Sequence, residues 1–176
     1  MGADIVCLQE TWATRTIPLK GFYAYGSPAV KLSLFGRPSG GLATYVSYDS
    51  NIILEKVSGA PSNLQVFRLK NLCLNGEKTQ CLLLNCYLNL HGQAKTGKVE
   101  QLVAYLELLM MEFPIHEVIL VGDFNLKGLG QVVEKSGPAA CFQAHLDQFC
   151  LRSVKHYWEG LTGEVITQKH SGTFQL

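Results

Sequence analysis

Charge of one sign is what this 176-residue sequence most lacks. Fifteen basic residues stand against fourteen acidic ones, for a net charge of +1. Dedicated nucleic-acid binders concentrate basic residues on one face, so any contact with phosphate here must be local or metal-mediated. The first residues, Met1-Gly2-Ala3-Asp4, lack the basic stretch and the apolar run of a secretory signal. No apolar run approaches the ~18 residues of a membrane span, since Leu102 to Phe113 is interrupted by Glu107 and Glu112. The expectation is an intracellular protein with no membrane partner. The six cysteines include no C-x-x-C pair, and Cys7, Cys81 and Cys86 lie in apolar runs, where a thiol behaves as a small hydrophobe. Cys141, His145, Cys150 and His156 alternate, without the close Cys–Cys and His–His pairs of structural zinc. With no repeat, low-complexity tract or linker, residues 1–176 read as one domain.

Apolar and aromatic residues are plentiful, at 47% and 10%. That balance suits a folded core rather than a disordered chain. Asp4 to Gln9 is of strand length. Gly41 to Tyr48 and Asn51 to Val57 are rich in β-branched and aromatic residues and read as a hairpin across Asp49-Ser50. Gln65 to Leu74 and Thr79 to Leu88 flank Asn75-Gly76, a pair suited to the positive φ angles of a tight turn. Cys81 to Tyr87 is nearly all apolar and reads as a strand buried on both faces. Val99, Leu102, Val103, Leu106, Leu109, Met110 and Phe113 form a helical stripe, with Thr96 as its cap and Pro114 as its stop. Val118 to Val121 is another buried strand, and Pro138 to Leu151 reads as a second helix. Strands followed by helix, strand and helix indicate a layered α/β or α+β domain.

Polar groups gather where three apolar strands end. Strand alternation puts Val6, Leu8 and Glu10 on one side, so an acid closes an apolar face. After Val118 to Val121, Gly122 leads into Asp123 and Asn125, two apart and on one side. A third strand ends in Tyr87 and Asn89. If these strands are neighbours running in the same sense, their ends form one polar cluster above a core. Such a cluster suits phosphoester chemistry with Mg²⁺, a hard ion that takes one or two carboxylates and keeps its waters. The plain reading stands beside it. A strand-terminal acid is usually a solvated end, and G-D-x-N is a common turn in which Asp and Asn bond their own backbone.

The motifs, taken in order, resemble the endonuclease/exonuclease/phosphatase superfamily, and within it the endonuclease domain of LINE-type non-LTR retrotransposons. Leu8-Gln9-Glu10-Thr11 resembles its L-Q-E-T motif, and Gly36-Arg37-Pro38-Ser39-Gly40-Gly41-Leu42 the G-R-x-S-G-G-L stretch of the retrotransposon branch. Asn85-Cys86-Tyr87 is similar to the strand bearing the active-site tyrosine. Gly122-Asp123-Phe124-Asn125 matches G-D-F-N, and His170 to Leu176 resembles the lead into a late aspartate strand. The resemblance implies a four-layer α/β sandwich, two mostly antiparallel sheets flanked by helices, here incomplete. It implies Mg²⁺-dependent cleavage of phosphodiesters, with Mn²⁺ as a substitute. Glu10 would be the metal ligand. Asp123 would position or activate the attacking water, Asn125 would orient it and the phosphate, Tyr87 would support the phosphate site, and Arg37 could touch the DNA backbone. DNA would be the partner, together with the reverse transcriptase domain of the same polyprotein, in the nucleus.

Three departures temper that expectation. The family opens with an asparagine strand and a helix before the glutamate strand, whereas this sequence starts at Met1, immediately before it. The family continues into an aspartate strand and an S-D-H ending beyond the point matched by Leu176. Its asparagine three residues after the tyrosine is here Leu90, with Asn89 one earlier. A domain cut at both ends holds metal weakly and loses much of its preorganised charge stabilisation, so negligible activity in isolation is expected. The alternatives are a catalytically dead, transposon-derived interaction module and a phosphatase-type member of the superfamily.

Overall fold

A computed structural model describes residues 3–31, 35–74, 76–88, 95–114, 117–125, 138–148, 151–155 and 164–168. In chain order the elements are β1 (Ile5–Gln9), β2 (Phe22–Ser27), β3 (Leu42–Ser47), β4 (Ile53–Lys56), β5 (Leu64–Lys70), β6 (Cys73–Leu74) and β7 (Glu77–Lys78). They continue with β8 (Cys81–Tyr87), α1 (Lys95–Glu112), β9 (Glu117–Asp123), α2 (Pro138–Gln148), β10 (Leu151–Lys155) and β11 (Glu164–Gln168). One sheet has the order β1-β3-β2 and the other β10-β11-β9-β8-β5-β4, while β6 and β7 form a small ladder of their own. Among the described strands only β8 and β9 pair in parallel. The helix α1 makes the crossover that a parallel pair requires.

The pleat of β8 sorts the layers. Leu82, Leu84 and Cys86 turn toward α1 and α2, where they meet Val99, Leu106 and Phe142. Cys81 and Leu83 turn the other way, toward Val46, Ile5 and Tyr25 of the smaller sheet. Two sheets face to face with helices on the outer side of the larger one give three described layers of an α/β sandwich. Each fully buried Leu or Phe contributes about 1.5–3 kcal/mol, which is why β8, buried at every position, sits at the centre.

Several expectations hold. The turn at Asn75-Gly76 lies between the β5 and β8 arms, with Gly76 at φ 83° and Leu69 opposite Cys81; Asn75 itself is outside the described residues. The stripe of α1 is buried at Val99, Leu102, Val103, Leu106 and Leu109.

Others are corrected. Gly41 to Tyr48 and Asn51 to Val57 are not a hairpin, because β3 lies in the smaller sheet and β4 at the edge of the larger. Ser47 and Ser50 hydroxyls accept from the Asp49 and Ile52 N–H groups, so the serine side chains bend the connection and the chain changes sheets there. Thr96 lies inside α1, which begins at Lys95, and α2 stops at Gln148, leaving Leu151 to open β10. The β10–β11 pair, with β11 inserted beside β9, had no counterpart in the sequence reading.

At Gly122 the two parallel strands come so close that a Cβ would fall inside van der Waals contact with the Cys86 carbonyl. Gly122→Ala is expected to lower stability by at least ~2 kcal/mol through that clash. By contrast Gly97→Ala, in the first turn of α1 with open space around it, raises stability by up to ~1 kcal/mol. Urea denaturation of both variants checks the pair.

Burial raises the Cys7 and Cys81 thiols from 9.0 to about 11 and about 12, the Glu117 carboxylate adding to the effect at Cys81. The unfolded chain therefore releases these protons first. Their stabilising contribution is whole below pH ~9 and is lost as pH climbs through about 11 for Cys7 and about 12 for Cys81. The urea midpoint should fall across that window, and more shallowly in Cys81→Ala.

Candidate active site

Parallel pairing of β8 and β9 sets Tyr87 directly opposite Asp123. By alternation both belong to the face turned toward the smaller sheet, along with Leu83 and Val121. The strand β1 arrives from the other side of the sandwich, not as a neighbour of β8, and ends at Gln9. Glu10 then takes φ 51°. Unbroken alternation would have left its side chain outward with Leu8. The left-handed turn sends it inward instead, and the Tyr87 hydroxyl donates a hydrogen bond to Glu10 Oε1. A non-glycine residue held at positive φ costs on the order of 1–3 kcal/mol and persists only where its surroundings enforce it.

Asp123 is exposed. Its Oδ1 accepts from the Asn125 backbone N–H at 3.1 Å, and its backbone carbonyl accepts from Leu88 N at 2.9 Å. Asn125, at φ 49°, donates one amide proton to the Leu88 carbonyl at 3.0 Å. Between them Phe124 is buried and packs on Phe142, ring centroids 5.5 Å apart. The turn reading of G-D-F-N is therefore correct, and the turn is also what presents Asp123. Burial first, then the Glu10 and Asp123 carboxylates, push the Tyr87 phenol well above its usual range, so it stays a neutral donor. In this arrangement its proton goes to Glu10 and orients that carboxylate.

Behind the site lies a buried polar cluster that the sequence reading missed. Asn85 Nδ2 faces the Leu8 and Ala43 carbonyls, Thr44 Oγ1 and Gln65 Oε1 at 3.1–3.3 Å. Asn85 Oδ1 accepts from Gln9 at 2.6 Å, and Thr44 donates to Gln65 at 2.8 Å. Asn85, Gln65 and Thr44 are wholly buried. Their clearest signal in the sequence was a carboxamide, Asn85, inside the otherwise apolar strand β8. The loops around the site are joined as well: Thr11 N and Trp12 N donate to the Gly41 and Gly40 carbonyls at 3.2 and 2.9 Å. A Cβ on Gly41, at φ 90°, would clash with Thr11 and Ala29. This gives the S-G-G stretch a structural role beside Tyr87. A cleft of about 360 Å³ runs from Tyr87 past Gly40 to Asn63, Lys98 and Gln101, the last three of which the sequence reading did not assign to the site. Arg37 stacks on Trp12. Asn89, Cys150, His156 and His170, and the side chain of Cys141, lie outside the described residues.

No family model and no curated protein matches the chain. Solved structures do. The human Nocturnin catalytic domain, solved with a bound sulfate anion, superposes with a TM-score of 0.61 at 13% identity over 95% of this chain and 69% of that one. A humanized D. rerio TDP2 gives 0.55 at 13% identity, covering 98% and 71%. A Bacteroides thetaiotaomicron mannosyl-6-phosphatase gives 0.50 at 12% identity, covering 85% and 64%.

The chain shares the fold of these solved structures. The chain thus spans about two thirds of the length of these structures.

The divalent ion implied by the superfamily resemblance can be tested against the donors. Among the described residues no three His, Cys, Asp or Glu side chains converge. Glu10, oriented by Tyr87, offers one hard carboxylate. That set fits Mg²⁺, which is commonly held by one or two carboxylates and otherwise by water, and does not fit a softer ion needing a protein cage. Glu10 would hold the ion, which would supply charge neutralisation at the phosphate.

The polar cluster makes a testable prediction. Asn85→Leu leaves Gln65, Thr44 and Gln9 short of partners and is expected to cost about 2–4 kcal/mol. Adding Gln65→Leu should recover part of that loss, a coupling that a double-mutant cycle in urea measures.

Proposed function

We propose that this chain carries the phosphate-cleaving half-site of a Mg²⁺-dependent DNA endonuclease of the LINE-type retrotransposon branch, close to silent on its own. The observation that carries the reading is the Tyr87–Glu10 hydrogen bond with Asp123 in register beside it. Three separately encoded motifs end at one corner, which supports a phosphodiesterase reading. The shared fold does not select a substrate, since its neighbours include a sugar phosphatase. The choice of DNA rests on the resemblance of Gly36 to Leu42 to the retrotransposon branch. In the intact element the partner would be the reverse transcriptase domain of the same polyprotein, acting in the nucleus. No helix among the described residues is long and apolar enough to cross a membrane.

The roles follow from the hydrogen bonds. Asp123, exposed and fixed by the Asn125 N–H, accepts a proton from the attacking water. Asn125 directs its remaining amide proton toward the water or a phosphate oxygen. Tyr87 keeps Glu10 turned inward, a hydrogen bond behind a metal ligand that sets its orientation. Near-silence follows from the donor count: among the described residues one carboxylate, that of Glu10, would hold the ion. Each absent transition-state donor can cost about 100- to 1,000-fold.

Nicking of supercoiled plasmid by the purified chain, in Mg²⁺ and in Mn²⁺, tests this reading. Folded chain is expected to give at most trace nicking, lost in both Glu10→Ala and Asp123→Ala. Robust nicking abolished by both substitutions would show the half-site to be sufficient and overturn the silence. Trace nicking indifferent to both would remove the endonuclease assignment.

A further inference from the structure

The roles assigned so far make no use of Trp12, and Arg37 has entered only through the resemblance, as a contact to the DNA backbone. The Arg37 guanidinium carbon lies 4.1 Å from the centre of the Trp12 ring. This stack is a surface feature: Trp12 keeps 43% of its surface and Arg37 is exposed. It is also held in place from both sides. Trp12 sits at φ 51° with its N–H on the Gly40 carbonyl at 2.9 Å. The loop carrying Arg37 is closed by the Val30–Ser39 bridge, two backbone hydrogen bonds of 2.9 and 3.0 Å. Its position is set by the site itself. Trp12 follows Glu10 by two residues, within about 7 Å along the chain, and a Cβ on Gly40 would lie 3.7 Å from the Tyr87 ring.

The chemistry of such a pair is specific. A guanidinium held over an indole at this distance, on an exposed surface, leaves N–H donors and a planar face for a ligand. Among the described residues no carboxylate pairs with it. The donors match phosphate oxygens and the face matches the π-surface of a base, the combination by which arginine and aromatic side chains take unpaired nucleotides. Bases inside an intact duplex already have both faces covered. With a net charge of only +1, the chain has little general attraction for a polyanion, so a single seat of this kind weighs heavily in what it prefers.

We propose that the Trp12–Arg37 stack seats an unpaired nucleotide beside the scissile phosphate, the Arg37 edge on a backbone phosphate and the base stacked on the pair. The chain thereby selects single-stranded, frayed or mismatched DNA over fully paired duplex. This rests on the phosphodiesterase reading of the adjoining site and deepens it.

The test uses the two tryptophans of the sequence, Trp12 and Trp158. In the otherwise full-length Trp158→Phe variant, fluorescence reports Trp12 alone. It is titrated without divalent metal by a mixed-sequence single-stranded oligonucleotide and, separately, by the blunt duplex of the same sequence. Saturable quenching is expected with the single strand, and binding at least ~5-fold weaker with the duplex, the lower end of what one stacked base contributes.

Arg37→Gln should weaken single-strand binding and flatten the log–log salt dependence by about 0.7, the loss of one phosphate contact. In anisotropy with a labelled oligonucleotide, Trp12→Phe should retain binding and Trp12→Ala should lose it, with circular dichroism showing that each variant is folded. Equal affinity for duplex, no quenching, or an Arg37→Gln variant with unchanged affinity and salt slope would overturn the proposal. So would Trp12 and Arg37 variants that lose only thermal stability, the result for a stack that merely pins the loop. Stack-dependent binding together with trace nicking indifferent to Glu10→Ala and Asp123→Ala would sink the nuclease reading and leave the nucleotide seat standing. Nicking indifferent to Trp12 and Arg37 would do the reverse.

Discussion

The Asn85 side chain is the point on which the two sheets agree. Around it Leu83 and Phe67 pack against Val46 and Ile5 as any sandwich interior would, and apolar packing of that kind tolerates small slides. A carboxamide wholly buried among Leu8, Ala43, Thr44, Gln65 and Gln9 does not. Each misplaced partner would leave a desolvated donor or acceptor costing about 1–3 kcal/mol, so the network fixes one relative setting of the sheets. Gln9 and Asn85 are also the residues that lead into Glu10 and Cys86-Tyr87. The hydrogen bond that fixes the setting therefore also fixes how far the glutamate lies from the tyrosine.

Backbone conformation carries the rest of the arrangement. Glu10, Trp12 and Asn125 all sit in the left-handed region, which Asn enters readily and Glu and Trp seldom do, and all three lie at the same corner. Each has a visible cause. Trp12 is held by the Gly40 carbonyl, Asn125 by Asp123 and Leu88, and Glu10 by its bond to Tyr87. Strain of this kind concentrates at sites that need side chains at angles a regular strand cannot supply.

That also marks where the sequence could be read and where it could not. Period and turn chemistry sufficed for β8, α1 and the β5–β8 arm, because burial on both faces and the stripe from Val99 to Leu109 are local patterns. The convergence of Glu10, Tyr87 and Asp123 was legible because each ends an apolar run. The direction of Glu10 was not, since alternation assumes extended backbone and the strand stops one residue earlier. Nor was the switch of β3 and β4 between sheets legible: a two-residue polar link looks the same whether the chain folds back or crosses over. The Asn85 cluster was hidden because a single amide in an apolar strand shows no partners until the tertiary fold supplies them.

One arm of the larger sheet, β8–α1–β9, holds Tyr87 and Asp123 in a single unit joined by parallel pairing and by the helix across it. Glu10 belongs to the opposing sheet. The corner is thus a meeting of two separable halves, and anything bound there that engages both acts as a clasp. By mass action an occupant of that kind strengthens the docking of one sheet on the other. Occupancy and the integrity of the sandwich are then read by the same measurement: a thermal transition that rises with ligand reports that the halves have been fastened together.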